Sequence, residues 1–220
     1  MKDTHAEVSR PRASVAKTAA GRTRPHTDGA TAQQLLLRAA SELFYQEGVR
    51  AVGVDAVVER AGVNKMSLYR QFASKDELVA AYLEQADECF FGHFDKSIGM
   101  HPGQPVRQIA QYFEDLTWRA SREGYRGCPF VNVAAEFADP SHPAREIVAR
   151  NKARLIERLT ELTTAAGADD PAELADALAL LIEGVYTASQ TFGPGCGPIA
   201  VAPRVAAQLV AAACAGRAGA

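Results

Sequence analysis

Apolar side chains recur along this chain at helical spacing, and no segment shows the strict alternation of a half-buried strand. In residues 54–61 the apolar side chains fall on one side, at Val54, Val57, Val58 and Ala61. Gly62 follows, and glycine takes left-handed backbone angles without steric cost, so it predicts the end of a helix. Asn64 supplies a side chain that can cap a second helix. The pattern predicts two short helices joined by a tight turn.

The second of these helices has one apolar side and one polar side. Leu68 and Phe72 share the apolar side. The polar side carries Met66, Ser67 and Arg70, flanked by Lys65, Tyr69 and Gln71. A hydroxyl, an amide, a phenol and two cations suit the major groove of DNA, where they meet base edges and phosphates. An ordinary helical hairpin with a solvated polar face would fit this pattern equally well.

The rest of the chain reads as helices separated by glycine and proline. Ser74 is the expected N-cap of a long helix that starts at Lys75. We predict helices over residues 75–94, 105–123, 129–137, 142–166, 171–192 and 203–214, with GPGCGP as the loop between the last two. Together with the N-terminal elements, this predicts an all-α fold of about nine helices.

Charge is unevenly distributed along the 220 residues, although the net charge is only −2. Residues 1–78 hold 12 Lys and Arg against 9 Asp and Glu, whereas residues 79–220 hold 12 against 17. The positive part contains the two-helix motif, as a surface that faces phosphates requires. Residues 1–30 hold six Lys or Arg and few large apolar side chains, so we expect a disordered basic tail. The tail could reach a minor groove or be a mere extension.

No uncharged apolar run has the length of a membrane span, and we expect a cytoplasmic protein. The four cysteines have no paired spacing, which suggests reduced thiols. The five histidines are scattered and no catalytic motif is present, so we expect no enzyme activity, no metal site and no cofactor.

Two segments carry a resemblance to a known family. AGVNKMSLYRQFASKDEL, residues 61–78, resembles the DNA-binding signature of the TetR family of bacterial repressors, and TAQQLLLRAASELFYQEGV, residues 31–49, resembles the helix before it. The resemblance implies a three-helix helix-turn-helix head in residues 31–78 and a helical body in residues 79–220 that binds a ligand and dimerises. The family often has Thr or Ser at the position of Gly53 and His at that of Gln71, so any phosphate contact at Gly53 would come from its backbone N–H.

The resemblance also implies roles for single residues of the head. By position, the likeness assigns base-edge contacts to Lys65, Met66 and Ser67. It assigns phosphate contacts to Tyr69 and Lys75, with Arg70 or Gln71 assisting. The partner would be double-stranded operator DNA.

In the family, the effector cavity lies among the central helices of the body. The candidates for its lining are Phe90, His93, Phe94, Tyr112, Phe113, Cys128, Phe130, Asn132, Asn151 and Tyr186. The aromatic residues among them could equally be ordinary core, and His93 could be a core histidine rather than a ligand contact. The expected effector is a small apolar or aromatic molecule.

The last two predicted helices carry more apolar surface than one subunit is expected to bury, and in the family they pair with their symmetry mates as a four-helix bundle. The candidate dimer contacts are Leu174, Leu178, Leu181, Ile182, Val185, Val205 and Leu209. A two-fold dimer implies a palindromic operator with half-sites roughly 34–36 Å apart. The alternative to a ligand-responsive repressor is a redox-sensing regulator that uses Cys128, because the start of a helix would lower the pKa of its thiol.

Overall fold

A computed structural model of the protein describes residues 29–215, and over this range the chain is all-α, with no strand. Nine helices follow one another in the described range: α1 Gly29–Glu47, α2 Val54–Ala61, α3 Lys65–Gln71, α4 Lys75–Gly99, α5 Pro105–Ala120, α6 Pro129–Glu136, α7 Pro143–Ala165, α8 Pro171–Thr191 and α9 Gly197–Ala213. Residues 1–28 of the expected basic tail lie outside the described range, and its last two residues already belong to α1.

The first three helices pack around one small core, which we call the head. Its buried side chains include Leu36, Phe44, Val57, Leu68 and Phe72. Gly62 closes α2 with φ +69°, where its N–H bonds the carbonyls at the helix end. Asn64 then caps α3, because its Oδ1 accepts from the Ser67 backbone N–H at 2.8 Å. Both predicted boundary residues therefore act as the pattern indicated.

The long helix α4 connects the head to the rest of the chain, and its start is fixed by a reciprocal cap. Ser74 Oγ accepts from the Glu77 N–H at 3.1 Å, and the Glu77 carboxylate accepts from the Ala73 N–H at 2.6 Å. The helix runs to Gly99, five residues beyond the prediction. Ser97 explains the extension, because it is buried and its hydroxyl donates to the Asp115 carboxylate at 2.6 Å.

The remaining five helices form the body together with α4. Helix α8 packs against both α7 and α9, and α5 packs against α4, α7, α8 and α9. Their shared core contains Phe113, Phe130, Leu155, Leu178 and Ile182, all buried. None of the helices in residues 29–215 is long and apolar enough to cross a membrane.

Helix α9 starts at Gly197, so the predicted start at residue 203 is wrong. Pro203 lies inside the helix, where its missing N–H costs one backbone hydrogen bond. Ile199, Ala202 and Ala206 are nevertheless buried on one continuous face. The packing of this face against α5 and α8 outweighs the local effect of the proline.

Candidate functional site

The polar face of α3 exposes two large side chains with apolar surface, Met66 and Tyr69, to solvent. Met66 is 63% exposed and Tyr69 is 49% exposed, whereas Leu68 on the opposite side is fully buried in the head. Arg70 is exposed, and Gln71 and Lys75 are partly buried at the junction with α4. The predicted DNA-facing side chains are therefore at least partly accessible at the surface of the described head.

Lys65 and Ser67 at the start of α3 already have partners within the head. Lys65 Nζ forms an ion pair with the Asp55 carboxylate on α2 at 2.7 Å, and this hydrogen bond raises the pKa of Lys65. Ser67 Oγ donates to the Asn64 Oδ1 at 3.1 Å. Both side chains are at the surface, so a nucleic acid could compete for them. To reach a base edge, Lys65 would have to leave the Asp55 carboxylate.

The N-cap position of α2 has no side-chain cap, because it is Gly53. Its backbone is extended, with φ −82° and ψ 157°, and a Cβ built on it would meet no atom within 4 Å. A serine or threonine would fit there without strain. The glycine leaves only its backbone N–H available for a phosphate.

A cavity of about 440 Å³ lies where the head meets the body. Its walls come from α1, α4, α5, α8, the loop that precedes α6 and the first residue of α6. The lining residues are Ser41, Glu42, Tyr45, Tyr82, Ala86, Cys89, Phe90, His93, Tyr112, Leu116, Arg119, Tyr125, Gly127, Cys128, Pro129 and Tyr186. The volume falls within the range of pockets that hold small organic ligands, roughly 300–1,000 Å³.

Five of the six tyrosines of the chain line this cavity, and Tyr69 is the exception. Burial raises the pKa of Tyr112 to about 12, although a hydrogen bond with Tyr186 opposes the shift. Burial also raises the pKa of Tyr82 and of Tyr125. These phenols are therefore neutral at physiological pH, and each offers a ligand an O–H donor within a largely apolar wall.

The loop before α6 and the last residue of α6 are hydrogen-bonded to the end of α1 and to the loop that follows it. We call these contacts the head–body latch. The Tyr45 phenol oxygen accepts from the Arg126 N–H at 2.8 Å, and its O–H donates to the Gly127 carbonyl at 3.1 Å. The Glu136 carboxylate accepts from the backbone N–H groups of Val49, at 3.1 Å, and of Arg50, at 2.6 Å. The cavity lies directly beside this latch, since Tyr45 belongs to both.

Gly127 is required where the loop comes close to α8. Its φ is +68°, and a Cβ there would lie 2.7 Å from Gln190 Nε2 and 3.0 Å from the Tyr186 carbonyl oxygen. A larger residue would push the loop away from α8. The glycine therefore holds the latch and one wall of the cavity in place.

Comparison with known proteins identifies the family. The family model described as "Bacterial regulatory proteins, tetR family" matches residues 36–82, and "Transcriptional regulator LmrA/YxaF-like, C-terminal domain" matches residues 105–193. The structure of a TetR-type transcriptional regulator from Streptomyces avermitilis is 31% identical to this chain, with a TM-score of 0.73. The alignment covers 83% of this chain and 97% of that chain. The chain belongs to the TetR family.

Two further relatives support this assignment. A TetR-family transcriptional regulator from Streptomyces coelicolor has a TM-score of 0.75 and 29% identity, over 84% of this chain and 89% of that chain. The transcriptional regulator AcuR from Cereibacter sphaeroides is 30% identical over 118 residues, which are 53% of this chain and 54% of AcuR. The match therefore spans about half the length of AcuR.

This TetR-family chain brings half of the sequence-predicted pocket residues to the cavity. They are Phe90, His93, Tyr112, Cys128 and Tyr186. His93 is exposed at the opening rather than buried in the core. Among the lining residues that were not predicted from the sequence are Tyr45, Tyr82 and Tyr125. Tyr82 lies on the same apolar side of α4 as Phe90, and this periodicity could have identified it. The resemblance had assigned α1 to the head alone, which hid the contribution of Tyr45.

The other five predicted pocket residues lie elsewhere, and this corrects the prediction. Phe94, Phe113 and Phe130 are fully buried and pack inside the helical core. The Asn132 amide donates to the Arg126 carbonyl at 2.8 Å and accepts from Gln190 at 3.1 Å, so it supports the loop before α6. Asn151 is buried and donates to the Asp87 carboxylate at 2.7 Å. The two amides therefore have hydrogen-bond partners outside the cavity, and the three rings pack behind the lining residues Phe90 and Tyr112.

Cys128 does not have the properties of a reactive thiol. It is the N-cap residue of α6, as predicted, but it is only 2% exposed. Burial raises the pKa of its thiol, and this outweighs the opposing effect of the Lys152 ammonium, 3.6 Å from the sulfur, and of the α6 backbone N–H groups. The predicted lowering of its pKa is therefore wrong, because desolvation is the larger effect.

The predicted dimer contacts on α8 are mostly internal. Leu174, Leu178, Ile182 and Val185 are buried within one subunit, because α8 packs between α7 and α9. Leu181, Val205 and Leu209 are partly buried. The large apolar side chains that these two helices and their connecting loop leave exposed are Leu180, Phe192 and Val201. Periodicity located the apolar side of α8 but not which part of it a second subunit could reach.

Proposed function

We propose that the protein is a transcriptional regulator that binds operator DNA and releases it when a small effector occupies the cavity. The observation that carries the DNA-binding part is the open polar face of α3, held between the Gly62 turn and the capped start of α4. A helix presented in this way enters the major groove with its N-terminal residues at the base edges. We propose that the protein blocks transcription while it occupies the operator, and therefore acts as a repressor.

In this proposal, residues 31–78 form the DNA-binding head and residues 79–220 the ligand-binding and dimerisation body. The base-edge contacts come from Lys65, Met66 and Ser67. Tyr69 and Lys75 contact phosphates, with Arg70 or Gln71 assisting. Because the proposed partner is operator DNA, the protein is proposed to act in the cytoplasm.

Dimerisation is proposed through the outward faces of α8 and α9. Leu180 is 75% exposed and Phe192 is 70% exposed, and such large apolar side chains are costly to leave in water. Gly184 on α8 is also exposed and allows close approach of a second helix. A two-fold axis through this surface would present two copies of α3, which matches a palindromic operator with half-sites roughly 34–36 Å apart.

The effector is proposed to act through α4 and the latch. Tyr82, Ala86, Cys89 and Phe90 of α4 line the cavity, and the same helix begins at the DNA-facing Lys75. A ligand that fits better when α4 and α1 have moved would draw population away from the operator-binding state. Couplings of this kind typically change affinity by roughly 5–150-fold. The geometry supports an effector that sits against both head and body.

The test is selection of DNA from a random duplex pool by the purified full-length protein. We expect two inverted half-sites to be enriched. Ser67→Ala should change the preferred bases, whereas the same substitution at Ser141, whose hydroxyl bonds Asp139 at the loop before α7, should not. Failure to enrich any sequence, or an identical selected site for the Ser67 variant, would contradict the proposed reading face.

A further inference from the structure

The cavity contains one cation with no anionic partner among residues 29–215. Arg119 on α5 lines the cavity and is partly buried, yet its guanidinium has no ion pair or side-chain hydrogen bond in this part of the chain. A guanidinium presents five N–H donors in a rigid fork that fits a carboxylate or similar anion. The other cations around the cavity are already engaged, which makes Arg119 distinctive.

The engaged cations can be named. Lys152, which touches Cys128, is paired with the Glu183 carboxylate at 2.6 Å. The Arg126 guanidinium donates to the Gln46 carbonyl in the latch. The one carboxylate in the cavity wall belongs to Glu42, and it is occupied by Arg38 at 3.3 Å and by Arg60 at 4.0 Å. No carboxylate in the described range neutralises Arg119.

The groups around Arg119 are donors as well. Its positive charge acts on the phenols of Tyr112 and Tyr125, which line the same cavity. A neutral phenol can donate one hydrogen bond to an anion, whereas a carboxylate would repel it. The cation and the neighbouring phenols therefore form a corner that suits the acidic group of a ligand. The rest of the wall, with Phe90, Leu116 and Tyr186, suits an apolar or aromatic body.

We propose that the effector is an aromatic organic anion whose acidic group binds Arg119, with Tyr112 and Tyr125 as additional donors. This inference rests on the proposed effector role of the cavity and adds the chemical class of the ligand to it. A neutral ligand of the same shape would leave the guanidinium without a partner. The preference for an anionic over a neutral ligand of the same shape should therefore depend on Arg119.

Two fluorescent probes that differ in one group provide the test. Anilinonaphthalenesulfonate carries an anionic sulfonate, and phenylnaphthylamine has the same rings without it. We expect Arg119→Gln to raise the Kd of the sulfonate about tenfold, because a charge-assisted hydrogen bond is lost. The Kd of the neutral probe should stay within about twofold on the same reasoning. Arg119→Lys should restore part of the sulfonate affinity.

Two further variants serve as controls. Arg122→Gln removes a cation that lies just after the end of α5. This guanidinium stacks over the exposed Trp118 ring rather than lining the cavity, so the substitution should change neither Kd. Ala86→Phe fills the cavity and should weaken both probes together. Circular dichroism of each variant shows whether its helices are intact.

The outcomes separate this inference from the proposed function. An unchanged sulfonate Kd in Arg119→Gln, or an equal loss for both probes, would overturn the assignment of an anionic ligand while leaving the cavity as the effector site. If neither probe binds the parent protein, or if Ala86→Phe changes neither Kd, the cavity does not hold such ligands. This inference and the proposed effector role of the cavity then both fail, while the proposed DNA binding stands on its own test.

Discussion

The Tyr45 phenol oxygen accepts a hydrogen bond from the backbone N–H of Arg126 at 2.8 Å, and this contact joins the DNA-binding head to the body. The two residues lie on α1 and in the loop before α6, far apart in the sequence. The same phenol lines the cavity. A ligand that displaces it would act on both sides of the junction at once.

Tyr45→Phe should loosen the latch without leaving a hole. The ring remains, but the hydrogen bonds to Arg126 and Gly127 are lost, so we expect the free energy of unfolding to fall by about 1–2 kcal/mol. Urea denaturation followed by circular dichroism measures this change. Tyr69→Phe is the matched control, because the Tyr69 ring is exposed and its loss of an O–H should leave stability unchanged. Equal stability of Tyr45→Phe and the parent would show that the hydrogen bonds of Tyr45 do not contribute to stability.

Asp55→Asn should strengthen DNA binding, because it frees Lys65 and removes a negative charge beside the reading face. Lys75→Ala should weaken binding to every sequence and reduce the salt slope by about one unit, since one phosphate contact is lost. Titration of operator and random duplexes at several salt concentrations measures both effects. If Asp55→Asn weakened binding instead, the Lys65–Asp55 pair would be needed to orient α3.

Leu180→Glu should produce monomers. The side chain is exposed on α8, so the subunit should remain folded, while a charge in the proposed interface opposes association. Leu178→Glu, two residues away, is fully buried in the subunit and should destabilise the fold instead. Sedimentation velocity distinguishes the two results. A Leu180→Glu variant that still sediments as a dimer would place the interface on another surface.

Thiol reactivity should follow exposure rather than position at a helix start. Cys89 is exposed at the cavity wall and should react with iodoacetamide before Cys128, whose buried thiol has a raised pKa. Cys128 should begin to react only as pH rises above the usual thiol range, or when the protein unfolds. Mass spectrometry of timed samples gives the order of labelling. Faster labelling of Cys128 than of Cys89 at neutral pH would support the alternative of a redox-sensing regulator that uses Cys128.

The boundaries of the head could be predicted from the sequence because local residues fix them. Gly62, Asn64 and Ser74 act within a few residues of their own position, and each ends or caps a helix where the pattern indicated. The start of α9 could not be predicted in this way. There a proline opposes the helix locally, and the buried face against α5 and α8 decides the outcome.

The cavity could be predicted only in part, because a lining residue is defined by its neighbours in three dimensions. Tyr112 and Phe113 are adjacent and both buried, yet only Tyr112 lines the cavity. Asn132 and Glu136 share one side of α6, as predicted. Their hydrogen-bond partners differ, because Asn132 accepts from Gln190 on α8 and Glu136 accepts from the Val49 N–H after α1. Helical projection shows which residues share a face, and it contains no information on what lies opposite that face.

The contribution of α1 to the cavity wall limits how the protein can be rebuilt from parts. A designer who grafts the reading helices of another regulator onto this body would replace Ser41, Glu42 and Tyr45 if the graft began before α1. Such a chimera would acquire a new operator preference and an altered sensor together. A join placed after α1, at the loop that leads into α2, would keep the sensing surface in its original form while the reading helix changes.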